Sequence, residues 1–164
     1  MIKRIIYVVL VVITLQGCTR DDICAEDTPT TPLLMIEFKD ISNRLESKAV
    51  TSFRVLVNDT DTLEAYIGTS DTLVGIPLNT RASISEFQFI TNSNDSITIN
   101  TDIISFTYST QDIYINRACA FKTIYNDLQV DLESELGTNN WIRDFTILKT
   151  TIENDTEAHL TIFH

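Results

Sequence analysis

The sequence predicts an all-β fold, an antiparallel β-sandwich of the immunoglobulin-like kind, and three observations predict it. Apolar and polar residues alternate over short stretches: Leu34, Ile36 and Phe38 against Glu37 and Lys39, and Ile104, Phe106 and Tyr108 against Ser105, Thr107 and Ser109. That is the two-residue period of a half-buried strand. The same stretches are rich in β-branched and aromatic residues, which suit a pleated surface. Clusters such as Asn58-Asp59-Thr60-Asp61-Thr62 and Asn92-Ser93-Asn94-Asp95 punctuate the chain, since Asn and Asp bond their own backbone and tolerate left-handed conformations. Nine or ten short strands at intervals of roughly 8–20 residues fit a sandwich or barrel.

The elements follow in order. Pro29 and Pro32, flanked by Thr, force an extended path into a first strand from Leu33. Phe53, Val55 and Val57 mark a second strand after a polar loop from Ser42 to Lys48. Leu63, Ala65 and Ile67 form a third, and Gly68-Thr69-Ser70-Asp71 turns again. Leu73 to Leu78 carries Pro77, which cannot donate to a ladder, so it reads as a short edge strand. Phe87 and Phe89 form another strand, Ile97 and Ile99 a short one, and the Ile104–Tyr108 alternation the clearest of all.

Ile113 to Ile124 is a long β-forming run in which strict alternation would set Arg117 on the face of Ile113, Ile115, Cys119 and Phe121. A buried unpaired charge is costly, so a bulge near Asn116 or Arg117, or a partner for the guanidinium, is expected. Leu128 to Leu136 reads as a short acidic helix or a loop. After Gly137-Thr138-Asn139-Asn140, Trp141 to Ile152 and Ala158 to Phe163 read as the last strands.

The leading segment has a different character. Lys3 and Arg4 precede an apolar run from Ile5 to Leu15, the layout of a secretory signal peptide. The run is too short for a membrane span, which takes roughly 20 apolar residues. Leu15-Gln16-Gly17-Cys18 resembles a bacterial lipobox, in which the cysteine is acylated and becomes the first mature residue; Gln16 departs from the small residue usual there. The alternative is simple secretory cleavage near Gly17 with Cys18 an unmodified thiol. Acyl chains contribute about 0.8 kcal/mol per buried CH₂, so two or three of them, palmitate-like in length, hold a domain firmly on a bilayer. The expected organisation is a signal peptide over 1–17, a lipidated tether over 18–32 and a β-sandwich over 33–164. Thr19-Arg20-Asp21-Asp22 resembles, in three residues, the signal that sends Bacteroidota lipoproteins to the outer face of the outer membrane. The expected location is therefore the outer membrane, facing the periplasm or the cell surface.

Removing the first 17 of 164 residues leaves 147, enough for one domain with a proper core. Loss of Lys3 and Arg4 from 12 basic residues, with all 23 acidic ones kept, takes the net charge from −11 to −13. Such a field repels nucleic-acid phosphates and keeps a tethered domain soluble and off the membrane plane. With Cys18 acylated, Cys24 and Cys119 are left, and an exported chain sits where disulfides persist. Their pairing would close a loop of roughly 96 residues; two buried free thiols are the alternative.

With these residues in view, the chain resembles an uncharacterised family of flavobacterial lipoproteins, a domain of unknown function spanning almost the whole sequence. The resemblance rests on Cys24 to Leu34, on Arg117-Ala118-Cys119-Ala120-Phe121-Lys122 and on Glu157-Ala158-His159-Leu160. Relatives often carry Gly at the position of Ala120. The resemblance implies location and extent, not chemistry.

No catalytic constellation stands out. The two histidines, His159 and His164, lie in and after the last strand, and no phosphate loop, HExxH, CxxC or GxSxG occurs. Neither an enzyme, nor a cofactor, nor a metal site is expected. Asp59-Thr60-Asp61 and Asn92 to Asp95 offer oxygens at alternating spacing but lack the Gly and distal Glu of a calcium loop. Asp61-Thr62-Leu63, Asp71-Thr72-Leu73 and Asp95-Ser96-Ile97 look like the short O-glycosylation signal of Bacteroidota, with Thr62, Thr72 and Ser96 as acceptors. The expected role is a binding or structural module contacting an envelope protein or glycan; the rival is a lipocalin-like carrier of an apolar ligand.

Overall fold

The computed structural model describes residues 23–57, 61–134 and 139–164; within 61–68, side chains are described only for Leu63 and Tyr66. The signal segment, Cys18, the Arg20-Asp21-Asp22 triplet and the 58–60 turn lie outside the described residues. Nine strands are found there: β1 Leu34–Lys39, β2 Phe53–Val57, β3 Asp61–Thr69, β4 Leu73–Ile76, β5 Ile84–Thr91, β6 Asn100–Asn116, β7 Ala120–Leu132, β8 Asp144–Ile147 and β9 Leu160–Phe163. They form one sheet of order β4-β1-β9-β8 and a second of order β3-β2-β5-β6-β7. This is the expected all-β sandwich, with a strand order of its own rather than the ABED/CFG order of immunoglobulin constant domains.

The alternation read from sequence decides which faces meet. Leu34, Ile36 and Phe38 of β1, Phe53 and Val55 of β2, Phe87 and Phe89 of β5, and Ile104 and Phe106 of β6 are all buried in one core. Phe53 sits 5.3 Å from both Phe38 and Phe89, edge to face in each case, so β1 of one sheet and β2 and β5 of the other meet at its ring. The β5–β6 pairing runs in register from Ile84 opposite Thr107 to Thr91 opposite Asn100.

One pairing departs from the antiparallel expectation. β1 and β9 run parallel, Ile36 opposite Leu160 and Phe38 opposite Ile162. A parallel pair needs a crossover, and here nearly the whole chain supplies it. β9 lies between β1 and β8, its Leu160 and Ile162 enter the core, and all four of its residues are buried. Its outer-face Thr161 donates to the Glu37 carboxylate at 2.6 Å, and the Arg44 guanidinium lies 4.4 Å over the Phe163 ring.

Both flanks of the sandwich are stitched. On one, the Tyr66 hydroxyl donates to the Gly75 carbonyl at 2.7 Å and accepts the Gly75 N–H at 2.8 Å, joining edge strands β3 and β4. A Cβ at Gly75 would lie 2.9 Å from the end of the Leu33 side chain and 3.0 Å from the Met35 sulfur, so both side chains would have to shift to admit one. On the other, Tyr125 and Ile152 exchange backbone hydrogen bonds of 3.1 and 2.7 Å.

Several local expectations are corrected. Ile97 to Ile99 is a turn rather than a strand: the Asp95 carboxylate accepts from the Ile97 N–H at 3.0 Å and the Thr98 hydroxyl at 2.7 Å. Leu128 to Leu132 belongs to β7, not to a helix or loop. Trp141 to Ile152 contains only the four-residue β8. The expected bulge near Arg117 is a chain reversal between β6 and β7, in which the Asn116 side chain accepts from the N–H groups of Ala118 and Cys119. Arg117 is exposed there. A reset of the inward face occurs further on: Tyr125 enters the core before Asp127, at φ 58°, and Leu128 enters it three residues later, the mark of a bulge.

The described chain forms two compact units, one of 23–30 with 113–122 and one of 31–112 with 123–164. In the first, the reversal leaves Ala120 at φ 57°, a left-handed conformation that costs a residue with a Cβ about 1–2 kcal/mol. Ala120→Gly is expected to stabilise the chain by about 0.5–1 kcal/mol, the steric relief outweighing the added freedom of the unfolded chain. Denaturant midpoints of the two proteins check it.

Candidate functional site

Within the larger unit, β2, the segment after β4 and the start of β5 enclose a cleft of about 360 Å³ lined by Val57, Pro77, Leu78, Ile84, Glu86 and Phe87. Pro77 ends the β4 ladder, as expected of a residue without an N–H, and frees the chain to cross over the end of the core. Ile84 is half exposed at the rim.

The cleft wall is braced from behind by a chain of hydroxyls. The Tyr108 hydroxyl donates to the Asn79 carbonyl at 2.9 Å, and so accepts from Ser85 at 2.5 Å; Ser85 in turn accepts the Asn79 N–H at 2.9 Å. Tyr125 stacks edge to face on Tyr108 at 5.1 Å and donates to the Leu78 carbonyl at 3.1 Å. Burial raises the pKa of Tyr108, and burial followed by the neighbouring Tyr108 pushes Tyr125 up to about 12. Both phenols are therefore neutral donors at physiological pH. They hold Leu78 and Asn79 in place and are not poised as bases. What the cleft presents outward is an apolar lip with one carboxylate, Glu86, suited to binding an apolar side chain flanked by a donor. No motif signalled it, because its parts come from three elements that only the fold brings together.

His159 is buried in β9's approach. Its ring Nδ1 accepts the Met35 N–H at 3.0 Å while its backbone N–H donates to the Met35 carbonyl at 2.8 Å, so the ring acts as a structural acceptor. Burial lowers its pKa, against the opposing pull of the Asn154 backbone; Lys149 lowers it further, while Glu157 and Asp155 raise it. Burial lowers His164 as well, beside Phe38 and Trp141. The unfolded chain then takes up protons that the folded one resists, so stability is full above the ordinary value of 6.5 and is lost as pH falls through the folded values. Urea unfolding between pH 7.5 and 5 is expected to show this loss as a falling midpoint. His159→Asn, whose side-chain oxygen can accept from Met35, should flatten the slope.

Of the residues singled out from sequence, Cys24 and Cys119 are joined in a disulfide with Cα atoms 4.9 Å apart. The bond ties the segment after the tether to the β6–β7 reversal, inside the smaller unit. Joining cysteines 95 positions apart in sequence, it should stabilise by about 2–4 kcal/mol. Cys24→Ser with Cys119→Ser is expected to lose that amount in guanidinium titrations, with no change on adding reductant to the variant.

Among the O-glycosylation candidates, Thr72 and Ser96 are exposed, and the Thr62 side chain lies outside the described residues. The backbone of Ile97 and the hydroxyl of Thr98 hold the Asp95 carboxyl below its ordinary pKa, so this acid serves its own turn. Among the described residues, no group of three or more His, Cys, Asp or Glu is placed to hold a metal ion.

Fold and site together define a disulfide-bonded β-sandwich domain with a shallow end cleft. The family of unknown function DUF6452 matches residues 49–164, and the chain belongs to that family. The match begins after β1, so it leaves out the Cys24–Leu34 stretch and is shorter than the nearly full-length extent expected. No curated protein and no solved structure matches the chain.

Proposed function

We propose that this protein is an envelope lipoprotein, held on the outer membrane by an acylated Cys18, whose sandwich is a non-catalytic module that binds an envelope protein or glycan. The observation that carries the reading is the Cys24–Cys119 disulfide, six residues beyond the lipobox cysteine. Such bonds persist in exported chains and are rare in the cytosol. A leader of two basic residues and an apolar run supports the same compartment.

The binding role is supported by the end cleft and its apolar rim; Thr72 and Ser96 are open to a glycosyltransferase. A lipocalin-like carrier calls for a closed barrel around its ligand, whereas the described strands form two sheets over a core filled by Phe38, Phe53, Phe89 and Phe106. Detergent-phase partitioning tests the anchor. The wild-type chain should enter the detergent phase and Cys18→Ala should not; equal partitioning of the two would end the reading. Protease treatment of intact cells then tells the surface from the periplasm.

A further inference from the structure

The smaller unit carries an exposed feature that the sandwich core and the cleft do not use. At the β6–β7 reversal, Tyr114 and Phe121 are 59% and 61% exposed and stack edge to face on each other at 5.3 Å. Two basic residues, Arg117 and Lys122, share this ten-residue tip, and residues 113–122 contain no Asp or Glu. In a chain of net charge −11, a basic and aromatic tip stands apart. Glu26 and Asp27 on the disulfide-linked segment carry the opposite sign, so the local field is modest and the aromatic pair must supply the rest. Ile23, next to the bonded Cys24, is 81% exposed.

The covalent path sets where this tip can go. Cys24 lies six residue steps beyond Cys18, a reach of about 20 Å fully extended. The disulfide adds a Cα–Cα step of 4.9 Å to Cys119. A tip so tethered stays within a few nanometres of whatever holds Cys18. An aromatic ring with a polar edge, such as that of Tyr114, favours the bilayer interface, an apolar ring such as that of Phe121 favours the acyl boundary just beneath it, and Lys and Arg favour anionic headgroups.

We propose that the β6–β7 tip, through Tyr114, Phe121, Arg117 and Lys122, is a membrane-contacting surface that inserts at the headgroup level of an anionic bilayer. Resting on the anchored reading above, it turns the tether from a loose leash into a two-point attachment. The charge of the rest of the chain is repelled by the same bilayer, which favours contact through this tip over any acidic face.

The test does not depend on acylation. The mature chain with Cys18→Ser and a hexahistidine tag before residue 19 is attached to nickel-chelating vesicles of phosphatidylethanolamine and phosphatidylglycerol with brominated acyl chains. A Phe121→Trp substitution reports contact, against the background of the buried native Trp141. Quenching of the new indole by about twofold or more is expected on these vesicles, and a clear loss of quenching when Arg117→Glu and Lys122→Glu are added. Tyr114→Trp repeats the measurement should Phe121→Trp disturb the tip. Unquenched indoles at both positions, in proteins with an intact disulfide, would overturn the proposal, as would equal quenching on vesicles of phosphatidylcholine alone and in the Glu variants. Acyl mass on Cys18 is scored separately, so failure of the anchor and failure of the tip are told apart.

Discussion

Phe53→Ala should cost about 3–5 kcal/mol, the largest loss expected from any single substitution here. The ring is 1% exposed and is shared by both sheets: Phe38 and Phe89 touch it at 5.3 Å, Tyr66 at 6.1 Å and Trp141 at 6.3 Å. Truncation removes the apolar transfer energy and leaves a cavity that four rings, each fixed by other contacts, cannot fill. Tyr66 also loses a wall beside its paired bonds to Gly75, so the β3–β4 flank should loosen with the core. Phe53→Leu keeps most of the volume and should cost under about 1.5 kcal/mol. Urea unfolding followed by Trp141 emission checks both; an unchanged slope with a shifted midpoint identifies a change in stability.

Asp102→Ala is expected to be nearly as damaging, at about 2–5 kcal/mol. Its carboxylate is fully buried at the base of β6 and accepts the N–H groups of Trp141 at 3.3 Å and Ile142 at 2.8 Å. The Trp141 indole then reaches the Phe89 carbonyl at 2.9 Å. One acid thus seats the segment that leads into β8. Alanine leaves two buried donors without their acceptor. Asn keeps one carbonyl oxygen, so Asp102→Asn should lose less than half as much. Calorimetry of the three proteins orders them, and a red-shifted Trp141 emission in Asp102→Ala would place the damage at this segment.

Strands whose inward residues alternate without interruption were legible in the sequence: β1, β2, β5 and the first half of β6 stand where Leu34, Phe53, Phe87 and Ile104 put them. β7 was not, because Asp127 shifts its inward face halfway along and its outer face reads as an acidic helix or loop. Trp141 and Ile142 look like strand residues by type, yet their N–H groups go to the Asp102 side chain. The parallel β1–β9 pair joins distant parts of the chain and leaves no local signal. The disulfide was readable because acylation of Cys18 would leave two cysteines; the cleft was not, since Val57, Leu78 and Phe87 meet only after folding.

The most direct measurement is the intact mass of the mature protein purified from the envelope of its native cells. A chain beginning at Cys18, heavier than its polypeptide by two or three fatty acyl chains on a glyceryl group, is the expected result. A chain beginning at any other residue, or one beginning at Cys18 with no acyl mass, contradicts the anchored reading.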